Sequence, residues 1–190
     1  MIFLATATFD IWPLAWVSFV PLLFAIQGIA TTRRAFFWGW FAGLVTNAGG
    51  FYWINLLLVR FGHFPQYASI PLYLLLMAYQ GLHFGLFAYL VTRTRDTYPR
   101  LPMVVLAPVF WVSCELLMPF IFDWYMAITQ AWNPLVIQVA DLAGPLGVSF
   151  VLLVGSGVAF DVVAAWLKGE CLPWKSSVAG LAPIALALGY

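Results

Sequence analysis

Charged residues are scarce in this sequence. Lys, Arg, Asp and Glu make up 8% of its 190 residues, whereas an ordinary soluble domain carries about 25%. So few charges cannot cover the surface of a soluble globule of this length. Aromatic residues at 18% and apolar residues at 64% are also the opposite of the composition of a disordered chain. The composition therefore predicts an all-α, polytopic transmembrane helical bundle.

Other scarce features exclude further classes of function. The net charge is +1 and the basic residues are scattered, which argues against a nucleic-acid partner. Two cysteines, Cys114 and Cys171, are too few for a disulfide framework. His63 and His83 stand apart from other possible ligands, so we expect no metal site. No glycine-rich phosphate loop followed by Lys and Ser or Thr is present, and we expect no cofactor.

Apolar segments define the predicted organisation, because a spanning helix needs about 20 apolar residues. Five segments meet this requirement: Ile11–Ile29, Ala35–Val59, Ile70–Thr92, Met103–Phe122 and Ala143–Leu167. Met1–Phe9 and Val178–Tyr190 are too short, and we interpret them as helices truncated at the chain ends. The sequence thus predicts one partial transmembrane domain over residues 1–190, with five full spans plus two truncated terminal spans.

The basic residues predict an orientation for these spans. All Lys and Arg residues except Arg60 fall on one side of the predicted membrane, and the positive-inside rule makes that side cytoplasmic. The Arg60–Ser69 loop and the segment Asp123–Leu142, here called the arm, then lie on the outer side. The arm is too apolar for a solvated loop and too interrupted by polar residues for a span. We interpret it as a re-entrant or interfacial segment.

Five stretches of the sequence carry a resemblance to a known family. They are Phe9–Trp16, Gly39–Gly43 followed by Gly49–Trp53, Ala78–Tyr79, Ala107–Glu115, and Gln138–Leu142 followed by Gly147–Phe150. In this order and spacing they resemble the membrane domain of apolipoprotein N-acyltransferases. The resemblance implies a multi-pass enzyme of the bacterial inner membrane with periplasmic outer loops. It also implies transfer of an acyl chain from a phospholipid donor to the N-terminal diacylglyceryl-cysteine of a lipoprotein acceptor.

The resemblance further implies a nitrilase-like α/β catalytic domain on the outer face. That domain would supply a Glu-Lys-Cys set and work through a thioester acyl-enzyme. The sequence lacks the couple of hundred soluble residues that it needs, so we expect it after residue 190 in cis, or supplied in trans. We therefore expect no catalytic residue here and an inactive chain when alone. Cys114 is interpreted as a packing residue, because Cys114 and Glu115 point about 100° apart on a helix.

The candidate lipid-binding residues are Glu115, Trp53, Trp124, Tyr125 and Gln130. Glu115 lies inside a predicted span, where a carboxylate costs roughly 2.5–3.5 kcal/mol. It indicates either a hydrogen-bonded tie to a neighbouring helix or a role in the lipid or acceptor pocket. Trp124 and Tyr125 suit the headgroup level, and Trp53 completes the Gly49–Trp53 stretch. Gln130 can donate to and accept from an ester or amide, and it matches the family's glutamine.

Some features depart from the family's pattern. Leu116-Leu117-Met118 replaces the aromatic-Leu-Arg that usually follows the glutamate, and Ala127–Gln130 keeps only the glutamine of Gly-Tyr-Ser-Gln. The membrane region of polyprenol-phosphate mannosyltransferase fusions is similar, so that relative stays open. A small transporter or channel and a non-enzymatic membrane scaffold are alternatives, but no internal symmetry of the transporter kind is visible. Gly39-x-x-x-Gly43 predicts close helix packing.

Overall fold

All elements of secondary structure in the described part of the chain are helical. The computed structural model describes residues 2–5, 9–122, 124–171, 174, 178, 180–182 and 184–185. The α-helices are α1 (Val20–Gln27), α2 (Thr32–Gly50), α3 (Trp53–Arg60), α4 (Gln66–Thr97), α5 (Met103–Leu117), α6 (Pro134–Ile137) and α7 (Val139–Lys168). Short 3-10 helices cover Ile2–Ala5, Trp12–Val17 and Met126–Gln130. The predicted all-α fold is confirmed.

The first predicted span is divided into two short helices. Ile11–Ile29 becomes the 3-10 helix Trp12–Val17 followed by α1. Each of the two begins with a proline in its first turn, Pro13 and Pro21. Proline lacks the N–H that a helix interior requires, and it is tolerated at the start of a helix. The two prolines therefore favour two helix beginnings in place of one continuous helix.

The second predicted span, Ala35–Val59, is also broken. α2 ends at Gly50 and α3 begins at Trp53, with a bend of 59° between them. Gly49 and Gly50 are poor helix formers, each less favourable than alanine by about 1 kcal/mol. The sequence stays apolar across this break, so the length of the apolar segment alone does not predict where α2 ends.

The later segments differ mainly at their ends. α5 stops at Leu117, two residues before Pro119, so the predicted segment Met103–Phe122 is too long. α7 begins inside the predicted arm, and Gly144 interrupts it with a φ of 63°. That left-handed conformation favours glycine, and the kink lies directly before Pro145.

Among the described residues, two helices, α4 and α7, are long and apolar enough to cross a membrane, and the bent pair α2–α3 makes a third if it forms one broken span. α5 and the stretch 12–27 are apolar but shorter. The described residues thus have the helices of a membrane protein, whereas five full spans plus two truncated ones stays a prediction. Parts of Met1–Phe9 and Val178–Tyr190 lie outside the described residues.

α2 and α4 cross at glycines, as the sequence predicts. A Cβ added to Gly39 would lie 2.6 Å from the nearest atoms of α4, and one added to Gly43 would lie 2.8 Å from the backbone oxygen of Gly81. The indole N–H of Trp40 donates to the carbonyl of Ala78 across the same interface, at 2.8 Å. The close packing predicted from Gly39-x-x-x-Gly43 is confirmed.

Trp111 of α5 occupies the centre of the core. Its ring centroid lies 4.4 Å from that of Phe19, 4.8 Å from that of Phe84 and 5.4 Å from that of Phe87. All four side chains are buried. Aromatic pairs of this kind contribute about 0.5–1.5 kcal/mol each beyond their buried area. The cluster holds α4 and α5 together with the residues that precede α1.

Basic residues gather at the end of the bundle that the sequence predicts to be cytoplasmic. A cavity of about 230 Å³ at this end is lined by Arg95, Arg100 and Lys168, among others. The same wall includes Asp161 of α7, whose carboxylate accepts hydrogen bonds from the backbone N–H groups of Met103 and Val104 at 3.1 and 3.0 Å. Asp161 therefore caps the beginning of α5 from a neighbouring helix. The arm lies at the opposite end.

Candidate functional site

Glu115 ties α5 to the arm. Its side chain is 2% exposed, and Oε1 accepts hydrogen bonds from the indole N–H of Trp111 and from the backbone N–H of Met126, both at 2.8 Å. The Ser149 hydroxyl of α7 lies beside the same carboxyl group, although Glu115 Oε2 completes no hydrogen bond of good geometry. Of the two interpretations of Glu115, the hydrogen-bonded tie is therefore present in the structure.

Trp124 lies inside the bundle. Only 6% of its surface is exposed, and its ring centroid lies 6.4 Å from that of Phe51 and 6.5 Å from that of His83. Tyr125 is half-buried and packs against the core. Asp123, at the start of the arm, lies outside the described residues. Trp124 therefore packs mainly against protein side chains, whereas the sequence predicts that it lies at the headgroup level.

The exposed part of this region belongs to two other rings. Trp53 is 43% exposed and Phe122 is 40% exposed. The centroid of Trp53 lies 6.5 Å from that of Phe122 and 6.5 Å from that of Phe51. Phe51, Trp53, Phe122 and Trp124 thus form an aromatic row. Trp53 and Phe122 lie at its surface end, and Trp124 lies at its inner end.

Gln130 is fully buried and bonded within the protein. Its Nε2 donates to the backbone carbonyl of Trp12 at 3.2 Å and to the hydroxyl of Thr129 at 3.3 Å. Its Oε1 accepts from the side-chain amide of Asn133 at 3.5 Å. Both ends of the amide are therefore engaged, and Gln130 fastens the arm to the 3-10 helix that precedes α1. A role as a lipid ligand would require it to exchange these partners, and that role stays a prediction.

Two polar residues of α4 to which the sequence assigned no role, Tyr79 and Gln80, hold the chain beyond α5, and a third, His83, bonds to Gln80 within the same helix. The Tyr79 hydroxyl donates to the carbonyl of Pro119 at 2.6 Å, and Gln80 Nε2 donates to the carbonyl of Phe122 at 3.1 Å. His83 is 1% exposed, and its Nδ1 lies 2.7 Å from the Gln80 carbonyl. A carbonyl only accepts, so Nδ1 carries the proton. The spacing Tyr79-Gln80-x-x-His83 in an otherwise apolar helix was the available signal.

No activated nucleophile is assembled around this site in the described part of the chain. Cys114 is buried and Cys171 is exposed, and both are free thiols. Within the described residues no hydrogen bond joins the Cys114 thiol to Glu115, whose Oε1 accepts from Trp111 and Met126, so Cys114 lacks the bonded base that an activated nucleophile needs. Within the same described residues, no group of three His, Cys, Asp or Glu side chains could hold a metal ion.

Comparison with known proteins gives a consistent result. Residues 1–158 match the family described as the apolipoprotein N-acyltransferase N-terminal domain. The chain is 32% identical over 184 residues to the apolipoprotein N-acyltransferase of Geobacter metallireducens, covering 94% of this chain and 35% of the relative. It is 28% identical over 189 residues to that of Pasteurella multocida, covering 98% of this chain and 35% of the relative.

A relative from Vibrio cholerae, also named apolipoprotein N-acyltransferase, is 30% identical over 177 residues, which is 90% of this chain and 34% of the relative. The chain therefore spans about a third of the length of the curated relatives it matches. The matched family covers most of the chain and is the family that the sequence resembles. The chain belongs to the apolipoprotein N-acyltransferase family, within which it corresponds to the N-terminal domain.

Proposed function

We propose that this chain is the membrane domain of an apolipoprotein N-acyltransferase. It would hold a phospholipid donor and a diacylglyceryl lipoprotein acceptor beneath a nitrilase-like catalytic domain, supplied in cis or in trans, on the outer face of the bacterial inner membrane. One observation carries the proposal. Glu115 holds the arm through Met126, and this contact positions Trp124 at the inner end of an aromatic row that opens to the surface at Trp53.

The aromatic row provides the mouth of the lipid site. The half-exposed rings of Trp53 and Phe122 contact acyl chains, because large aromatic rings bury much apolar area at little conformational cost. Trp124 and Phe51 lie behind these two exposed rings and separate them from the core. Tyr125 lies next to Trp124, and its hydroxyl suits a headgroup or an ester carbonyl. This arrangement modifies the sequence-based expectation, in which Trp124 itself lay along the acyl chains.

Acyl transfer needs an activated nucleophile that this chain does not assemble among its described residues. In the proposed reaction, the thiolate of a catalytic cysteine of the nitrilase-like domain attacks the carbonyl carbon of a phospholipid ester. The ester C–O bond breaks, and the lysophospholipid leaves as an alcohol after taking up the proton that the thiol gave to a base of that domain. The resulting thioester is then attacked by the α-amine of the acceptor cysteine, and the thiol leaves. The membrane domain contributes binding and orientation, which can supply a large share of a rate enhancement. The chain alone should therefore transfer no acyl group.

The proposed topology has five full spans, with the arm on the periplasmic side. Reporter tags after Arg34, Arg95 and Gly169 should then read as cytoplasmic. Tags placed in Arg60–Ser69 and in Asn133–Asp141 should read as periplasmic. A cytoplasmic reading near Asn133 would contradict the number of spans and the position of the arm.

Alanine substitutions in a complete enzyme that carries this membrane domain test the proposed mouth. Trp53→Ala and Trp124→Ala should each lower N-acylation of a lipoprotein, measured as the acylated fraction of its N-terminal peptide by mass spectrometry. Gln130→Ala should lower it as well, because the arm loses its bond to Trp12. Trp166→Ala is the matched control, since Trp166 is 74% exposed at the other end of α7.

The membrane level of each variant is measured by immunoblot, so that loss of protein is separated from loss of activity. A mouth predicts lower activity at an unchanged membrane level for the three variants and no change for Trp166→Ala. An ordinary aromatic anchor predicts that Trp124→Phe and Trp124→Tyr are harmless and that Gln130→Ala matters little. Wild-type activity from the Trp124→Ala/Gln130→Ala double variant at equal expression would contradict the proposed mouth.

A further inference from the structure

A groove runs along an exposed apolar side of α2, away from the arm. One cavity of about 330 Å³ is lined by Arg34, Phe37, Trp38 and Phe41. A second cavity of about 300 Å³ shares Trp38 and Phe41 and extends between α2 and α1 to Ala42 and Thr46. Because two large side chains line both cavities, they adjoin and form one depression, here called the α2 groove.

The length of the α2 groove matches a lipid chain. Arg34, Trp38, Phe41 and Val45 recur with helical spacing on one face of α2, and the last three are 59%, 52% and 49% exposed. From Arg34 to Thr46 the helix rises about 18 Å at about 1.5 Å per residue. One leaflet of the hydrocarbon core is about 15 Å thick, half of about 30 Å. With Arg34 at the headgroup level, a groove of this length would reach to about the bilayer midplane.

The charge at its open end selects the headgroup. Arg33 and Arg34 lie in the first turn of α2, and the guanidinium of Arg33 lies 5.9 Å from the ring centroid of Phe37. Among the described residues, those that line the two cavities include no Asp or Glu. The cavity beside Arg95 differs, because Asp161 and Glu170 line it. Arginine matches the geometry of a phosphate group, and basic pockets at this depth bind anionic headgroups.

We propose that the α2 groove binds one anionic phospholipid from the leaflet on the Arg34 side, which the charge distribution predicts to be cytoplasmic. Arg33 and Arg34 hold the phosphate, and one acyl chain follows Trp38 and Phe41 to Ala42. This lipid is distinct from the acyl donor, because the groove opens at the end of the bundle opposite the arm. It fixes the depth of the domain in the membrane and takes no part in acyl transfer.

Native mass spectrometry of the purified full chain tests the proposal. The chain is delipidated in detergent and incubated with phosphatidylglycerol or phosphatidylcholine of identical acyl chains. The wild type should retain one phosphatidylglycerol at least fivefold more than phosphatidylcholine. Arg33→Gln/Arg34→Gln should remove this preference. The control double variant Arg60→Gln/Arg100→Gln, which removes the same charge elsewhere, should keep it.

A second variant probes the acyl part of the groove. Ala42→Leu should lower retention of both lipids at least threefold, because the added side chain fills the cavity beside Phe41. Val105→Leu is its control, since Val105 is 47% exposed on α5. Gel filtration and a thermal melt on each variant establish that it is folded, and a variant that fails them is replaced by Arg34→Gln alone or by Ala42→Val, with the same expected direction of change.

Four results would overturn the proposal. The first is equal retention of the two lipids by the wild type, and the second is an unchanged preference in Arg33→Gln/Arg34→Gln. The third is displacement of the lipid by an excess of water-soluble glycerol 3-phosphate, which would indicate a site for free phosphate alone. A loss of preference in Arg60→Gln/Arg100→Gln equal to that in Arg33→Gln/Arg34→Gln would likewise contradict a site at α2.

Discussion

Two substitutions of Glu115 distinguish the contribution of its hydrogen-bond acceptor from that of its negative charge. Both act at the contact that ties α5 to the arm. Glu115→Ala removes the acceptor of two buried donors, the indole N–H of Trp111 and the backbone N–H of Met126. A buried donor left without an acceptor costs about 1–3 kcal/mol, so the pair costs about 2–6 kcal/mol. Glu115→Gln keeps a carbonyl oxygen in the position of Oε1, and we expect a loss of about 1 kcal/mol or less.

A thermal melt of the detergent-solubilised chain, followed by gel filtration of the surviving fraction, measures the effect. One kcal/mol shifts the Tm of a domain of this size by about 2–4 °C. Glu115→Ala should therefore lower the Tm by roughly 5–20 °C, and Glu115→Gln by a few degrees at most. Glu170→Ala, a change at an exposed glutamate, is the control and should leave the Tm unchanged.

The Tm values of Glu115→Gln and Glu115→Ala together show whether the acceptor position holds the arm. Equal destabilisation by Glu115→Gln and Glu115→Ala would show that the negative charge, and not the acceptor position, holds the arm. An unchanged Tm in both variants would show that the contact between Glu115 and Met126 contributes nothing to the stability of the fold. The first result would refute the hydrogen-bond account of the tie. The second would refute the tie itself, on which the proposed placement of Trp124 depends.

Three further predictions follow from packing and from chemistry. Gly43→Ala should lower the Tm by a few degrees despite the higher helix propensity of alanine, because the added Cβ meets the backbone of α4. Gly28→Ala is the control and should not lower the Tm, because nothing lies within 4 Å of its added Cβ. Asp161→Ala should cost about 0.5–2 kcal/mol in a denaturation curve, since α5 loses its cap; an unchanged curve would contradict that contact. Incubation of the purified chain with phospholipid should leave Cys114 and Cys171 unacylated by mass spectrometry, and an acyl group that disappears on Cys→Ser would contradict the assignment of catalysis to another domain.

The close crossing of α2 and α4 could be predicted because it depends on a local pattern. Gly39 and Gly43 lie one turn apart, and small residues at that spacing permit helices to approach whatever the rest of the fold does. The all-α membrane fold was predictable for a similar reason, because composition alone excludes soluble alternatives. The breaks in the predicted spans were harder to predict. The length of an apolar segment reflects how favourably it leaves water, and it does not show where the backbone stops being helical.

The position of the arm depends on contacts that join distant parts of the chain. Gln130 bonds to Trp12, which is 118 positions away in the sequence, and Tyr79 and Gln80 reach the chain beyond α5. Such pairs leave no periodic signal in one sequence. The aromatic content of the arm indicated an interface with lipid, but aromatic rings suit a protein interior equally well. The burial of Trp124 follows from the tie at Glu115, which the sequence could only leave open.

The 59° bend between α2 and α3 affects the bilayer as well as the protein. α2 rises about 28 Å on its own, which is close to the full hydrocarbon thickness of about 30 Å. With Arg34 at the predicted cytoplasmic headgroup level, we expect α2 to reach the opposite headgroups and α3 to extend about 10 Å sideways there, at about 1.5 Å per residue. Its exposed side chains Leu56 and Leu57 would then take up surface that lipid headgroups otherwise occupy. We expect the leaflet to thin beside Trp53, so that a lipid entering the aromatic row leaves a membrane that is already locally deformed.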